Sequence, residues 1–357
     1  MSAGGKGGTL MPGYRSKQFL HRDDLDRLRW ESALAYARDA LAERCRRVEK
    51  TRENWPFPFF RGDCHCHSRH SDGVGTVAEI AETARAAGLD FQVVTDHWGV
   101  TQREECRKHG LWWGQEPASG GHHLGILGLE HAFVPDGDTA RDIVAARKSG
   151  ATVFIAHPTG WHPSVVYPAD RLEMLFDLPG PHLLEIINGG HRLSPGYGGR
   201  DRAAVALWDR LLQAGRHALA VGNTDAHSPL GIGHVWNAVP APRRSPRSVY
   251  KALREGSGFV SQAPLLSLRC GETGTGNTVP LEGKRSAVSI RAADSAGLSS
   301  VSLVADGRPW RSWRTDGRAE FSAEARIPSR IRQYVRLECV ASDGLRAFSN
   351  PIFLESS

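Results

Sequence analysis

The sequence predicts an α/β protein built around a closed, TIM-like barrel of seven strands, with a helix before it and a small all-β sandwich after it. Between about residues 59 and 260, short apolar runs alternate with helical patterns, which is typical of a mainly parallel sheet. After about residue 262 the helical periodicity stops, and short β-rich runs separated by Gly, Ser and Asp follow. We therefore divide the chain into a disordered tail (1–18), a helical extension (19–57), a barrel (58–261) and a β-sandwich (262–357).

The helical extension is predicted from apolar residues that recur at intervals of three and four, including Leu28, Leu34, Leu41 and Val48. The proline-rich segment that starts at Trp55 ends it. Within the barrel, the predicted strands are 59–67, 91–97, 111–116, 123–129, 152–157, 183–188 and 219–225, and the predicted helices are 77–87, 139–148, 169–176 and 202–213.

Bulk properties restrict the class of protein more than they define it. The chain has 357 residues and a formal net charge of +6, which weakly favours small anionic substrates. The basic residues are scattered, so we expect nucleic acid only as a substrate. We expect a cytoplasmic protein, because we find neither a membrane-spanning apolar run nor a secretory signal. Six cysteines without a CxxC pair argue against a structural zinc ribbon.

The strongest motif lies at the end of the first predicted strand. In an extended segment alternate side chains share a face, so His65 and His67 point one way and Cys64 and Cys66 the other. Two imidazoles on one face supply half of a metal site. Asp72 follows in a Ser-Asp-Gly turn that can fold it back as a third ligand.

Potential ligands recur at the ends of the other predicted strands. They are His97, Glu116, His122 or His123, His157, Asp225 and His227. Barrel enzymes build their sites at the carboxyl ends of parallel strands, so we expect these side chains to meet. Six imidazoles and three carboxylates form a mixed nitrogen and oxygen set that suits Zn, Mn or Fe better than Ca or Mg. The sequence therefore predicts a hydrolase that uses two or three divalent ions.

These motifs resemble those of the PHP (polymerase and histidinol phosphatase) superfamily of metal-dependent hydrolases. The matching pieces are His65-Cys-His67, Ser71-Asp-Gly73, Thr95-Asp-His97, Gly114-Gln-Glu116, Ala156-His-Pro158 and Asp225-Ala-His227. The branch that this chain resembles is the CehA/McbA-like group, which shares the Gly-x-Glu segment and a C-terminal phrase like Ser349-Asn-Pro-Ile352. The resemblance implies a distorted (β/α)7 barrel and hydrolysis of phosphomonoesters or phosphodiesters, with carbamate or amide hydrolysis in some members.

The resemblance also implies a distribution of ligands over three ions. His65, His67, Glu116 and Asp225 would hold the first ion. Glu116 would bridge to a second ion held with His123 and His157, and Asp72, His97 and His227 would hold the third. Two departures stand out. His122 competes with His123, and we prefer His123 because the apolar run Leu124-Gly-Ile-Leu127 follows it; Trp98, where the family usually has a small polar residue, would reshape the pocket near the third ion.

Candidate catalytic residues are Asp96, Glu116 and His227. Asp96 would orient an imidazole or relay a proton, and its alternative role is to cap the strand end. Candidate substrate-binding residues are Asn188, on the same rim, and Arg192 or Arg200 in a glycine-rich loop, whose alternative role is a solvated surface.

Two other functions compete with a phosphoesterase. One is a carbamate or amide hydrolase that uses the same metal centre. The other is a non-enzymatic module that binds a partner, which loss of several ligands would indicate; all nine are present.

Overall fold

The computed structural model describes residues 27–160, 167, 169–189, 196–281, 287–328, 330–331 and 333–356. The predicted tail (1–18) and Arg192 lie outside these residues. Helix α1 (Arg27–Arg52) confirms the predicted helical extension, and its Trp30 and Leu34 are buried against Leu230. Within the described residues, no helix has the length and apolar character needed to cross a membrane.

The barrel region contains strands at all seven predicted positions and helices at all four. The strands are β1 (Phe60–Asp63), β2 (Phe91–Val94), β3 (Trp112–Gln115), β4 (Ala118–Ser119), β5 (His122–Leu127), β6 (Thr152–Ile155), β7 (His182–Asn188), β8 (Ala218–Asn223), β9 (Trp236–Val239) and β10 (Phe259–Ser261). The helices are α2 (Val77–Ala86), α3 (Arg103–His109), α4 (Thr139–Lys148), α5 (Ala169–Leu175), α6 (Gly199–Gln213) and α7 (Pro246–Arg254). The sequence patterns did not predict α3, α7, β4, β9 or β10.

Local signals explain where several helices begin. Thr76 and Glu79 form a reciprocal capping box at the start of α2, so that two otherwise unpaired backbone N–H groups are satisfied. Asp138 caps α4 by accepting a hydrogen bond from the Arg141 N–H. Ser245 caps α7, and Pro246 occupies its first turn, where its missing N–H costs nothing.

The sheet departs from the predicted closed and mostly parallel barrel. Its order in this region is β10-β9-β1-β2-β3-β5-β6-β7-β8, and β5 is antiparallel to both of its neighbours. The connection from β3 to β5 is too short for a crossover, so β5 must turn back along β3. The described β8 and β1 share no continuous ladder; one isolated parallel bridge, between Cys66 and Ala226, joins their ends.

Side-chain amides take the place of a closing ladder along β8. Asn237 accepts a hydrogen bond from the Gly222 N–H and donates one to the Gly222 carbonyl. Asn350, from the C-terminal region, does the same for Ala220. Because buried backbone groups must be paired, these two side chains satisfy the β8 edge without a neighbouring strand. The prediction of a closed barrel was therefore wrong for the described chain.

The C-terminal region forms two layers of strands. One layer contains β11 (Leu265–Cys270), β12 (Thr273–Gly274), β14 (Ala287–Ala293) and β17 (Glu320–Arg326). The other contains β13 (Thr278–Leu281), β15 (Leu298–Ala305), β16 (Arg308–Arg314), β18 (Tyr334–Ala341), β19 (Arg346–Ser349) and β20 (Ile352–Ser356).

The two layers share one apolar core, to which Leu268 and Ile290 contribute from one side and Leu303 and Leu337 from the other. The second layer is continuous with the barrel strands, because β10 pairs with both β9 and β19. The all-β character of this region agrees with the sequence pattern. A separate sandwich domain beginning at residue 262 stays a prediction.

Candidate metal centre

Nine predicted ligand side chains converge at one end of the barrel strands. His65 and His67 follow β1, His97 follows β2, Glu116 follows β3, His157 follows β6, and Asp225 and His227 follow β8. His123 lies at the start of β5, which runs in the opposite direction and so brings its first residues to the same end. Asp72 reaches the group from the loop after His67. We call these nine residues the mouth cluster.

The most buried part of the mouth cluster contains His65, His67, Glu116 and Asp225, whose donor atoms all lie within 4.8 Å of one another. His65 Nε2 lies 3.2 Å from one Glu116 oxygen and 3.2 Å from Asp225 Oδ1. His67 Nε2 lies 3.2 Å from the other Glu116 oxygen and 3.0 Å from Asp225 Oδ1. These are the four residues that the resemblance implies for a first ion.

Glu116 extends this group toward a second set of imidazoles. Its Oε1 lies 2.8 Å from His157 Nε2 and 3.1 Å from His123 Nδ1, while its Oε2 lies 3.2 Å from His97 Nδ1. His97, Glu116 and His123 together offer three donor atoms close enough to hold an ion. A single carboxylate that faces five imidazoles suits a bridging ligand.

A third group lies nearer the solvent. Asp72 Oδ2 lies 3.4 Å from His97 Nε2 and 3.3 Å from His227 Nε2, and the His67 ring stacks on both imidazoles with centroid distances of 4.5 and 4.2 Å. The Asp72 side chain is 45% exposed, whereas those of His65 and His67 are fully buried. The cluster therefore opens toward solvent on the Asp72 side.

The loop from Ser68 to Gly73 folds Asp72 back onto the cluster. The Gly73 N–H donates to the Ser68 carbonyl, and a Cβ at Gly73 would lie 2.3 Å from the His67 carbonyl oxygen, so only glycine fits this turn. Asp96 holds the same loop. It accepts hydrogen bonds from the Ser68 N–H, the Ser68 hydroxyl and the Ser71 hydroxyl at 2.8, 2.7 and 2.6 Å. Asp96, a predicted catalytic residue, thus contacts the loop that carries Asp72.

Two ligand positions have backbone conformations that side chains other than glycine rarely adopt. His157 has a φ of 29° and Asp225 a φ of 47°. Such residues cost about 1–3 kcal/mol each and cluster at functional sites. Their side chains both face Glu116 or its neighbours, so the strain accompanies the convergence of the ligands.

The strand register separates His122 from His123. His123 faces Glu116, whereas His122 is buried and packs edge-on against the Tyr167 ring at a centroid distance of 5.1 Å. Burial lowers the pKa of His122, which is the expected direction for an imidazole held neutral by packing. The geometry thus favours His123 as the ligand.

Electrostatics in the metal-free cluster couple the imidazoles to the carboxylates. Burial disfavours the charged form of His67, but hydrogen bonds to Asp225 and Glu116 raise its pKa to about 10. Burial likewise opposes charge on His65, yet the nearby carboxylates raise its pKa well above the usual range. Although burial alone would raise the pKa of Glu116, the charges of the surrounding imidazoles lower it. The carboxylates thus favour the protonated forms of His65 and His67.

The predicted substrate-binding residues lie at different distances from this chemistry. Asn188 donates to Glu185 at 2.7 Å and to Asp225 at 3.1 Å, so it belongs to the wall of the site. The Arg200 guanidinium donates to the Thr159 carbonyl, two residues after His157. Arg192 lies outside the described residues.

Sequence reasoning missed two buried acids beside the cluster. Glu185 accepts from His65, and Asp63 accepts from the Thr224 N–H at 3.1 Å and from its hydroxyl. Burial raises the pKa of Asp63 to about 6. A usable signal existed for Glu185, because an acid inside the apolar run of 182–187 must find buried partners.

The donor set fits divalent metal ions. Glu116, Asp225 and Glu185 are buried, yet none has an arginine or lysine partner among the described residues. Nδ1 of His67 and Nδ1 of His157 are buried without a hydrogen-bond partner. Imidazole and carboxylate donor atoms this close together suit divalent metal ions.

Comparisons with known proteins give one family match and distant structural likenesses. Residues 216–257, which include Asp225 and His227, match the family model described as PHP-associated. None of the curated proteins compared with this chain matches it.

Among solved structures, a two-domain protein from Bacteroides vulgatus, described as containing a predicted PHP-like metal-dependent phosphoesterase, is similar at 15% identity with a TM-score of 0.45, covering 83% of this chain and 95% of that one. A lesion-specific endonuclease from Pyrococcus furiosus is similar at 16% identity and a TM-score of 0.40, covering 55% of this chain and 56% of that one. An amidohydrolase from Chromobacterium violaceum is similar at 17% identity and a TM-score of 0.36, covering 54% of this chain and 95% of that one. All three TM-scores lie below 0.5, so the assignment of the site rests on its own residues.

Proposed function

We propose that this chain is a metal-dependent hydrolase of the PHP superfamily, in its CehA/McbA-like branch, and that it cleaves phosphate monoesters or diesters. The observation that carries the proposal is the sharing of Glu116 between adjacent donor groups in the mouth cluster. Structural ion pairs neutralise a carboxylate with one cation, whereas Glu116 faces five imidazoles from four segments of the chain. Such sharing is what closely spaced metal ions require.

In this proposal the nine ligands divide as the resemblance implies. His65, His67, Glu116 and Asp225 would hold one ion, and Glu116, His123 and His157 would hold a second. Asp72, His97 and His227 would hold a third, on the side most accessible to solvent, because the Asp72 side chain is 45% exposed. Divalent ions in such sites lower the pKa of water and stabilise the attacking and leaving oxygens of a displacement.

The exposure of the ligands indicates the side from which substrate reaches the site. His97, His123 and His227 are the partly exposed imidazoles of the cluster, with side chains 19%, 23% and 14% exposed, so substrate approaches from their side. His227 contacts the Asp225 carbonyl through Nδ1 at 2.9 Å, which leaves Nε2 for the third ion, and Asp96 steadies the loop that carries Asp72. Arg200 lies near the rim, and a modest move of its guanidinium from the Thr159 carbonyl would bring a cation to an anionic substrate.

The test is turnover by protein loaded with manganese, with a panel of aryl phosphomonoester, aryl phosphodiester, aryl carbamate and anilide. Elemental analysis of the same sample gives the metal content. We expect two or three ions per chain and turnover of a phosphate ester that Glu116→Gln abolishes. Turnover of the carbamate or anilide alone would reassign the substrate class. A fully loaded protein that cleaves none of the four would favour the non-enzymatic alternative.

A further inference from the structure

Glu185 lies behind the candidate metal ligands, in the middle of β7, and its side chain is completely buried. Its Oε1 lies 3.0 Å from His65 Nδ1 and accepts a hydrogen bond from the Asn223 amide at 2.8 Å. Its Oε2 accepts from the His157 backbone N–H and from the Asn188 amide, each at 2.7 Å. Four donors from four segments therefore occupy one carboxylate.

The contact with His65 determines which ring nitrogen carries the proton. A carboxylate can only accept, so the proton between Glu185 and the ring belongs on Nδ1. That leaves the lone pair on Nε2, the nitrogen that lies 3.2 Å from both Glu116 and Asp225. A carboxylate that fixes the tautomer of a ligating histidine in this way also raises its basicity toward a metal.

The contact with His157 acts on the backbone. His157 has a φ of 29°, a conformation that its side chain disfavours, and its N–H donates to Glu185 Oε2. The same conformation brings His157 Nε2 to 2.8 Å from Glu116. Losing this hydrogen bond would leave a buried N–H unpaired and remove a restraint on the strained residue.

The third branch reaches Asp225 through Asn188. The Asn188 amide donates to Glu185 Oε2 and, at 3.1 Å, to Asp225 Oδ2, so it spans the two carboxylates. Asp225 is the second ligand with a positive φ, at 47°. One buried side chain thus restrains three candidate ligands that come from three different strand ends.

We propose that Glu185 is a positioning residue that holds His65, His157 and Asp225 in the geometry needed for metal binding. This inference rests on the proposed metal centre, and it assigns Glu185 no contact with substrate. Glutamine, the neutral side chain of equal size, cannot replace Glu185 without loss of hydrogen bonds. All four partners donate, so the amide nitrogen of a glutamine would face a pair of donors whichever way it turned.

The experiment measures metal affinity, not turnover. Wild type, Glu185→Gln and the control Glu255→Gln are stripped of metal and titrated with Zn²⁺ against a chromophoric chelator. Glu255 is an exposed glutamate at the C-cap of α7, where it pairs with Lys251, outside the site. We expect Glu185→Gln to lower the affinity of at least one ion about ten- to hundredfold, as loss of such supporting carboxylates typically does. Glu255→Gln should match wild type.

A second variant protects the test against a failure to fold. Asn188→Ala removes the branch to Asp225 and leaves the contacts of Glu185 with His65 and His157, so it should reduce the affinity by a smaller factor, with the circular dichroism spectrum unchanged. In cobalt-loaded protein, the exchangeable Nδ1–H of His65 should give a shifted proton resonance in wild type and in Asn188→Ala. Wild-type affinity and stoichiometry in Glu185→Gln, or in Asn188→Ala where Glu185→Gln does not fold, would overturn the role of Glu185 alone. A wild-type protein that binds no divalent ion would instead overturn the proposed function, and this inference with it.

Discussion

Two groups of charged residues in this molecule differ in the kind of basic side chain that neutralises their carboxylates. The first is the mouth cluster. The second, which we call the ion-pair seam, joins the C-terminal layers to the rest of the chain through Arg47, Asp294, Asp343, Asp209, Arg336 and Glu338. In the seam every carboxylate meets a guanidinium. In the mouth cluster, the only basic groups that the carboxylates contact among the described residues are imidazoles.

The seam is complete as it stands. Arg336 binds both oxygens of Asp209 at 2.8 and 2.7 Å, and Arg47 binds both oxygens of Asp294 at 2.7 and 2.6 Å. Such two-point contacts have a fixed geometry and a permanent charge. The hydrogen bonds to Asp294 and Asp343 keep the pKa of Arg47 above its usual range even though burial opposes its charge.

The mouth cluster lacks that permanence. Its positive charge depends on protons that imidazoles can release, and two of its residues have strained backbones. The difference teaches that burial of charge alone does not identify a functional site. What distinguishes the mouth cluster is that its charges and geometry suit an additional cation, whereas those of the seam leave no room for one.

The largest effect should come from Glu116→Gln. The substitution removes the charge that the adjacent groups share, so we expect loss of at least one ion per chain and a decrease in kcat of about a thousandfold or more, since each ion stabilises several kcal/mol of transition-state charge. Elemental analysis and initial rates at saturating manganese measure both. Full metal content and wild-type turnover would show that Glu116 is not a bridge.

Arg336→Met is the matching change in the seam. It leaves Asp209 without its two-point partner, and we expect the free energy of unfolding to fall by about 3 kcal/mol, with metal content unchanged. Urea denaturation measures the loss. Arg326→Met, an exposed arginine of β17, is the control and should change stability by about 0.5 kcal/mol or less. If Arg336→Met lost metal while Glu116→Gln did not, the mouth cluster would not be the metal site.

The two regions should also respond differently to pH. The raised pKa of His67, about 10, means that the metal-free protein holds a proton there that a metal must displace. Affinity for Zn²⁺ should therefore increase with pH between 6 and 9, by about tenfold per unit for each proton released. Chelator competition in that range tests this, with proton release followed in weak buffer.

The stability of the metal-free protein should change with pH in the opposite direction to its Zn²⁺ affinity. A folded pKa raised from 6.5 to about 10 stabilises the folded state fully below pH 6.5, and that stabilisation is lost as pH rises toward 10. The difference in Tm between loaded and stripped protein should therefore widen as pH rises. A constant difference from pH 6 to 9 would show that protons and metal do not compete for these imidazoles.

Much of this contrast was visible in the sequence. Alternation along 64–67 predicted that His65 and His67 share a face, and the apolar runs predicted every strand that delivers a ligand. Those patterns are local, and the tertiary packing of the chain agrees with them. The preference for His123 over His122 rests on the apolar run that follows the ligand in the family, and it agrees with the geometry, in which His123 faces Glu116.

What the sequence did not predict depends on partners far along the chain. Asn350 caps the edge of β8 from 130 residues away, and no local pattern indicates that a side chain, not a strand, would lie there. Glu185 stands out in the sequence only as an acid inside an apolar run, and its four donors, which come from distant parts of the chain or from further along β7, become visible only in the structure. The reversed direction of β5 follows from a connection whose length could be read only once the ends of both strands were known.

The smallest predicted effect separates strain from ligation at one residue. Because His157 has a φ of 29°, His157→Gly should be more stable than His157→Ala in metal-stripped protein by about 1 kcal/mol, although glycine normally costs more conformational entropy. At His123, in the extended strand β5, the order should reverse, since glycine gains nothing there and loses β propensity. At Asp316, which has a φ of 46° in a turn outside the site, glycine should again exceed alanine. Denaturation of the six variants measures all three differences. Equal stability of the two variants at position 157, with the expected order at 316, would mean that the backbone relaxes once the imidazole is gone, so that the strain comes from the ligand geometry itself.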